Sequence, residues 1–231
     1  MIDVWHVRNV HWLRDLPTAE TERLRRAATT RDYERGETVF TPNPTPQSVY
    51  LLERGLVRIY RLSDGGGEAT FGYVLPGEVF GELFAFSSGG GRESFAQAVR
   101  RSSVWRIPGE LFSDVVRRSP GMTLEVTKQI AGRMKRIESR VEDLVFRDVR
   151  SRLARVLLEL ADSFGRKEAT GIEIELPLTQ SDLATLVGST RQTVNVALGQ
   201  LEKEGLLTHR HRHFLLGDLE GLRRVIVPTP T

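Results

Sequence analysis

Cysteine is absent from the 231 residues. The chain therefore has no disulfide to staple a core and no thiolates to hold an iron–sulfur cluster, and the absence fits a reducing compartment. Long apolar runs are also lacking, and no stretch could cross a bilayer as a helix. The opening MIDVWHVRNVHWLRDL has no signal-peptide core, so a cytoplasmic protein with no membrane partner is expected. Strong charge of either sign is missing too. The net charge is +3, and from Arg147 onward twelve Arg and Lys stand against eleven Asp and Glu. Any positive surface must come from placement and not from composition. The glycine runs at 65–67 and 89–91 lack the GxxxxGK(S/T) and GxGxxG spacings of phosphate loops, and the first reads as a hairpin turn. No Ser-His-Asp arrangement or paired-carboxylate pattern stands out, so nothing makes a case for an enzyme.

What is present is most orderly between Leu178 and Leu207. Thr179 is a good helix N-cap with Asp182 three residues on, where negative charge suits the helix dipole. Leu183, Leu186 and Val187 recur at helical spacing, and Gly188 suits a left-handed C-cap. Ser189 or Thr190 caps a second helix. In it Val194, Leu198 and Leu201 face a core, leaving Arg191, Gln192 and Asn195 on the opposite face at the N-terminal end. Those side chains make forked hydrogen bonds to guanine and adenine in the major groove. The stretch reads as a helix-turn-helix whose partner is double-stranded DNA, with Thr179, Ser189, Thr190, Arg191, Gln192, Thr193 and Asn195 as candidate contacts.

The length suits two modest domains. Residues 9–31 read as helical, with Leu13, Leu16, Leu24 and Ala27 as an apolar stripe. From Tyr33 to about Ile107, short β-type segments alternate with turn signals such as PNPTP, SDGGG, LPGE and SSGGGR, as in a small antiparallel barrel or sandwich. The β-type segments include EVFGELFAF, SFAQAV and SVWRI. A short helix follows Pro108, then a long one from about Met122 to Phe146. There Ile130, Met134, Ile137, Val141 and Leu144 step by four, three, four and three, the seam of a two-stranded coiled coil. RDVR at 147–150 reads as a hinge, SRLARVLLELADSFG as the first helix of the last domain, and IEIELP as a strand. THRHRHFLL reads as a wing. On a single strand His209, His211 and His213 would share one face and Arg210 and Arg212 the other. Such a trio could hold a metal. No further ligand is near in sequence, though, and basic residues beside DNA account for the pattern, so no metal is expected.

The stretch GSTRQTVNVAL, with Gly36, Gly55 and Gly77 at fitting places in the β segments, resembles the bacterial cyclic-AMP receptor protein/FNR (CRP/FNR) superfamily of transcription regulators. The resemblance implies an α+β chain in three parts. Residues 1–118 would form a cyclic-nucleotide-binding-like β-roll, 119–146 a dimerisation helix, and 147–231 a winged helix-turn-helix. It further implies a homodimer on an inverted repeat, with RNA polymerase as a partner. In that family an Arg, a Glu and a second Arg read each half-site. Here they align with Arg191, Gln192 and Val196, so only the first is retained.

The family's phosphate-binding cassette is matched by Gly81, Glu82 and Leu83, with Arg92 at the fitting distance. Carboxylate to ribose and guanidinium to phosphate would be their roles. The next residue departs, being Glu93, with Ser94 one place later, and positions that carry hydroxyls in the cyclic-AMP receptor align with Ile137 and Glu138. RDVRSRLARVLLELADSFG also resembles the cyanobacterial nitrogen regulators that sense 2-oxoglutarate, and Arg133 and Glu138 fall where those carry an Arg and a Glu near the ligand. A cyclic nucleotide such as cAMP, another small anion, and a ligand-free mode are the three readings of the sensor.

Overall fold

The computed structural model describes residues 16–86, 91–210 and 213–226. The part of the expected first helix before residue 16 lies outside them. Two compact units divide inside the long helix, between Arg136 and Ile137.

The first unit begins with α1 (Thr18–Ala27). Residues 29–31, expected to continue that helix, instead belong to strand β1 (Thr29–Tyr33), paired with a later strand. TTRDY opens with β-branched residues, which lose rotamers in a helix and fit a pleated edge. Next come β2 (Thr38–Phe40), β3 (Ser48–Leu62), β4 (Glu68–Val74), β5 (Val79–Phe80) and β6 (Phe95–Pro108). They form one antiparallel sheet ordered β1-β6-β3-β4, with β2 on β6 and β5 on β3. SFAQAV and SVWRI fuse into the single strand β6, which the neighbouring β3 matches in length with bulges that let both curl. EVFGELFAF yields only the two-residue β5, then a 3-10 turn at Leu83–Ala85.

Both faces of β3 are buried at its start, and period two sorts its side chains. Val49 and Leu51 pack with Trp105, Ile107 and the helices, while Tyr50 and Leu52 point into the roll with Phe40, Phe80 and Val104. Strands β3 and β6 approach closely at Gly55, whose φ is 103°. A Cβ there would lie 2.5 Å from Ser102 Cα and 2.6 Å from the Arg101 carbonyl oxygen, so no side chain fits.

Helix α2 (Gly109–Arg118) buries Phe112, Val115 and Val116 at i, i+3, i+4 spacing. Helix α3 (Pro120–Phe146) is continuous through the division. Its early residues Met122 and Val126 are buried in the first unit's core, and Ile130 packs partly against it.

The second unit takes up the rest. The expected hinge contains only two non-helical residues, Arg147 and Asp148, before α4 (Val149–Phe164) starts. Asp143, 4% exposed, accepts from Arg147 Nε at 2.7 Å and pairs with Arg155 Nε at 2.9 Å. A small antiparallel sheet, β7-β8-β10-β9, combines β7 (Gly165–Glu168), β8 (Gly171–Ile174), β9 (Leu207–Arg210) and β10 (His213–Leu216). Between β8 and β9 lie α5 (Gln180–Val187) and α6 (Arg191–Lys203). A last helix, α7 (Leu219–Ile226), packs on α4. The Val225 carbonyl accepts from Ser151 Oγ at 2.9 Å, and the Ile226 carbonyl accepts from Arg147. Among the described residues no helix is long and apolar enough to cross a membrane.

Asp148 caps α4, its carboxylate accepting from Ser151 N at 2.7 Å. That bond holds its carboxyl below the usual carboxylate range against the opposing effect of burial. A carboxyl depressed in the folded state stabilises fully above its unfolded value, about pH 4, and the contribution fades as pH falls through the lower folded value. Asp148→Ala should cost about 1 kcal/mol at pH 7, and urea unfolding repeated near pH 2 should show the gap to wild type narrowing.

Candidate nucleic-acid interface and effector site

The helix-turn-helix is built from its caps. Thr179 Oγ1 accepts from Asp182 N at 3.1 Å, while Asp182 Oδ2 accepts from Thr179 N at 2.8 Å, a closed capping box at the start of α5. The Thr179 hydroxyl also donates to Asp182 Oδ2 at 2.7 Å, so it is committed to the cap. Gly188 ends α5 with φ 67° and ψ 51°, in the left-handed region, and a Cβ there would stand 3.0 Å from Leu144 Cδ2. Of the two candidate caps for α6, Thr190 fills the place: its Oγ1 accepts from Thr193 N at 3.1 Å and lies 2.8 Å from Thr193 Oγ1. Ser189 is half-buried, its N–H bonded to the Ala184 carbonyl.

With both caps set, α6 divides cleanly. Val194, Ala197, Leu198 and Leu201 are buried, whereas Arg191, Gln192, Thr193, Asn195 and Val196 are exposed. Sequence reasoning missed one member of this face. Gln180, the first residue of α5, donates from Nε2 to Asn195 Oδ1 at 2.8 Å. The two amides are fifteen residues apart, and no helical spacing relates them.

The wing differs from the alternation expected of one strand. β9 ends at Arg210 and β10 begins at His213, with these two residues paired across the hairpin, so His209 and His213 stand on different strands. His209 stacks on Phe214 with ring centroids 4.5 Å apart, and its backbone N–H donates to Glu202 Oε1 at 3.0 Å. His213 Nδ1 lies 3.9 Å from Glu173 Oε1. His211 and Arg212 lie outside the described residues, as does the side chain of Arg210.

In the first unit the cassette residues are engaged internally. Arg92 Nη2 donates to the carbonyls of Ser48 (2.7 Å) and Gly81 (2.8 Å), and the guanidinium lies 4.2 Å from the centroid of the Phe40 ring. Burial pushes its pKa down, opposed by Tyr50 and Glu82, while nearby Arg106 pushes it down further. The Glu82 side chain is 2% exposed and pairs with Arg133 Nη1 at 2.8 Å, and Arg133 Nη2 donates to the Val79 carbonyl. Leu83 is exposed, Ser94 is half-buried, and Glu138 is exposed on α3. The exposed carboxylate of Glu93 pairs with Arg61 Nη2 at 2.5 Å. Beside Arg92 opens a cleft of about 260 Å³ lined by Asn43, Thr45, Gln47, Ser48, Tyr50, Arg92 and Arg106, two guanidinium groups and no carboxylate.

Residues 30–119 match the family described as "Cyclic nucleotide-binding domain" and residues 151–225 the "Crp-like helix-turn-helix domain". The CRP-like cAMP-activated global transcriptional regulator of Mycobacterium tuberculosis is 31% identical over 193 residues, 84% of this chain and 86% of the relative. The chain belongs to the CRP/FNR superfamily. The global nitrogen regulator of Synechococcus elongatus is 33% identical over 78% of this chain and 82% of that protein. A CooA variant from Carboxydothermus hydrogenoformans superposes with a TM-score of 0.75 at 29% identity, over 87% and 89% of the two chains. The c-di-GMP-responsive regulator CLP of Xanthomonas campestris gives 0.76 at 25%, over 87% and 99%. This CRP/FNR member is a transcription regulator with a DNA-binding helix-turn-helix, not an enzyme. Its cyclic-nucleotide-binding domain is the place where a small-molecule effector would sit.

The Glu82–Arg133 pair is testable as a unit. Arg133→Met leaves a buried carboxylate uncompensated and should cost about 3 kcal/mol, whereas Arg133→Met combined with Glu82→Leu should lose less than the single change. Urea unfolding of the three proteins checks this.

Proposed function

We propose that this regulator works as a homodimer on an inverted-repeat operator, recruiting or hindering RNA polymerase there in the bacterial cytoplasm. The observation that carries the reading is the division of α6 into a buried apolar face and an exposed tip bearing Arg191, Gln192 and Asn195. An arginine can fork onto guanine and a glutamine onto adenine, while Val196 can offer a thymine methyl only an apolar contact. The operator is therefore expected to keep the guanine read by Arg191 and to differ from the family's best-known half-site at the other two positions.

Support for the dimer comes from α3. Met134, Ile137, Val141 and Leu144 are 60%, 40%, 55% and 53% exposed along one stripe. An uncovered row of large apolar side chains at this spacing suits a second copy of the same helix. Such a pair presents two recognition helices about one DNA turn, roughly 34 Å, apart. Ile130 is split in role, since it also packs on its own unit's core.

For the sensor, the reading is a small anion, such as cAMP or a 2-oxoglutarate-like acid, with Arg92 as its charge partner. The carboxylate-free cleft beside Arg92, with Arg106 as a second cation, supports it. Ligand-independent binding is favoured by a different observation: Arg92 and Glu82 already have partners within the chain. Operator titrations with and without each anion separate the two, since an effector must change affinity and the ligand-free mode must not.

Ile137→Asp with Val141→Asp should yield monomers in sedimentation, because charge would be buried unpaired at the seam; a fully dimeric double variant removes the seam. In a binding selection on randomised DNA, Arg191→Ala should cost about 1–3 kcal/mol per half-site and relax one base pair. Arg210→Ala should instead weaken all sequences alike and flatten the salt dependence. An intact motif with Arg191→Ala would mean that α6 is not the reader.

A further inference from the structure

We infer that Gln180 is a positioning residue for base reading: it sets which end of the Asn195 amide faces the DNA. This rests on the proposal that α6 reads the operator. Asn195 lies one turn beyond Arg191 on the exposed face of α6. An asparagine amide is ambidextrous. Its oxygen accepts from adenine N6 or cytosine N4, and its nitrogen donates to guanine O6 or N7, to adenine N7 or to thymine O4. On a free side chain both orientations are open. Here the half-buried Gln180, anchored at the first position of α5 beside the closed capping box, donates from Nε2 to Asn195 Oδ1 at 2.8 Å. That bond turns the oxygen toward α5 and leaves Nδ2, a donor, as the outward group.

The consequence is chemical and specific to one base pair. With its oxygen held, Asn195 cannot fork onto adenine N6 and N7, and it prefers an edge that offers acceptors only, guanine or thymine. Without the brace it regains the adenine alternative. Gln180 thereby acts on specificity without touching a base. In the arrangement seen Gln180 is the donor, so the pair responds to what replaces Gln180. A donor-only side chain keeps the asparagine oxygen facing α5. An acceptor-only side chain must receive a hydrogen from Nδ2, and so turns the oxygen outward.

The experiment is the binding selection carried out with wild type, Asn195→Ala, Gln180→Met, Gln180→Lys and Gln180→Glu, with a thermal midpoint measured for each. Asn195→Ala identifies its base pair as the position that loses preference. At that position wild type and Gln180→Lys should both select guanine or thymine, Gln180→Met should relax the preference, and Gln180→Glu should move it to adenine or cytosine. Any overall gain or loss of affinity from the new charge is read separately, because it leaves the ranking of bases at other positions unchanged. A merely structural brace would shift the midpoints of the variants and leave the motif intact, which overturns the inference. So does a motif unchanged in all three Gln180 variants with uniformly weaker binding, which would make Gln180 a phosphate contact. If wild type selects no motif at all, the DNA-reading proposal fails and takes this inference with it. A normal motif with an unmoved Asn195 position sinks this inference alone.

Discussion

A carboxylate sealed from water has to be paired, and among the described residues Glu82 is the most deeply buried one. Its partner, Arg133, is on α3, and the same guanidinium reaches the carbonyl of Val79 on β5. Gln129, one turn earlier, accepts from Val79 N at 3.0 Å. The cassette that follows β5 is thus tied to the long helix by a buried ion pair and two backbone hydrogen bonds, and removing either charge would strand the other. A change in the cassette that moves Glu82 or Val79 is felt at Arg133 and Gln129 on α3.

Arg92 obeys the complementary rule. A buried cation needs acceptors, and it has found two carbonyls and a set of aromatic faces instead of a carboxylate. Carbonyls satisfy hydrogen bonding without cancelling charge, so the net positive charge of the guanidinium survives at the edge of the cleft, with Arg106 Nε bonded to Ser48 Oγ beside it. Burial and the neighbouring Arg106 pull Arg92's pKa down, against the opposing effects of Tyr50 and Glu82.

The legible parts of the sequence were those where one local rule decides the outcome. Thr179, Asp182, Gly188 and Thr190 fix the helix-turn-helix through bonds spanning three or four residues, and the period of Leu183, Val187, Val194 and Leu198 supplies its core. The illegible parts depend on partners distant in the chain. Residues 29–31 look helical until β6 is there to pair with them, and EVFGELFAF looks like a long strand until Gly81, with φ 67°, bends it away after two residues. Strand β7 (GRKE) and helix α7 went unread. The first is polar throughout and gains its structure from β8, and the second follows its core contact, Leu222, onto α4. At the sites, the identities of Arg92 and Glu82 could be seen, but not that Arg133, Ser48 and Gly81 would occupy them. Gln180 gave no signal, since its partner lies on another helix at a separation no periodicity encodes.

On α6 the residues that hold the fold and those that meet solvent do not overlap. Val194, Ala197, Leu198 and Leu201 carry the packing, while Gln192, Asn195 and Val196 contribute almost nothing to the core. Substitution at such exposed positions typically changes stability by no more than about 0.5 kcal/mol. If α6 reads the operator as proposed, it can exchange its operator vocabulary one residue at a time over evolutionary time while every intermediate still folds. A regulatory network could then be rewired by drift at three surface positions, with no compensating change inside the protein.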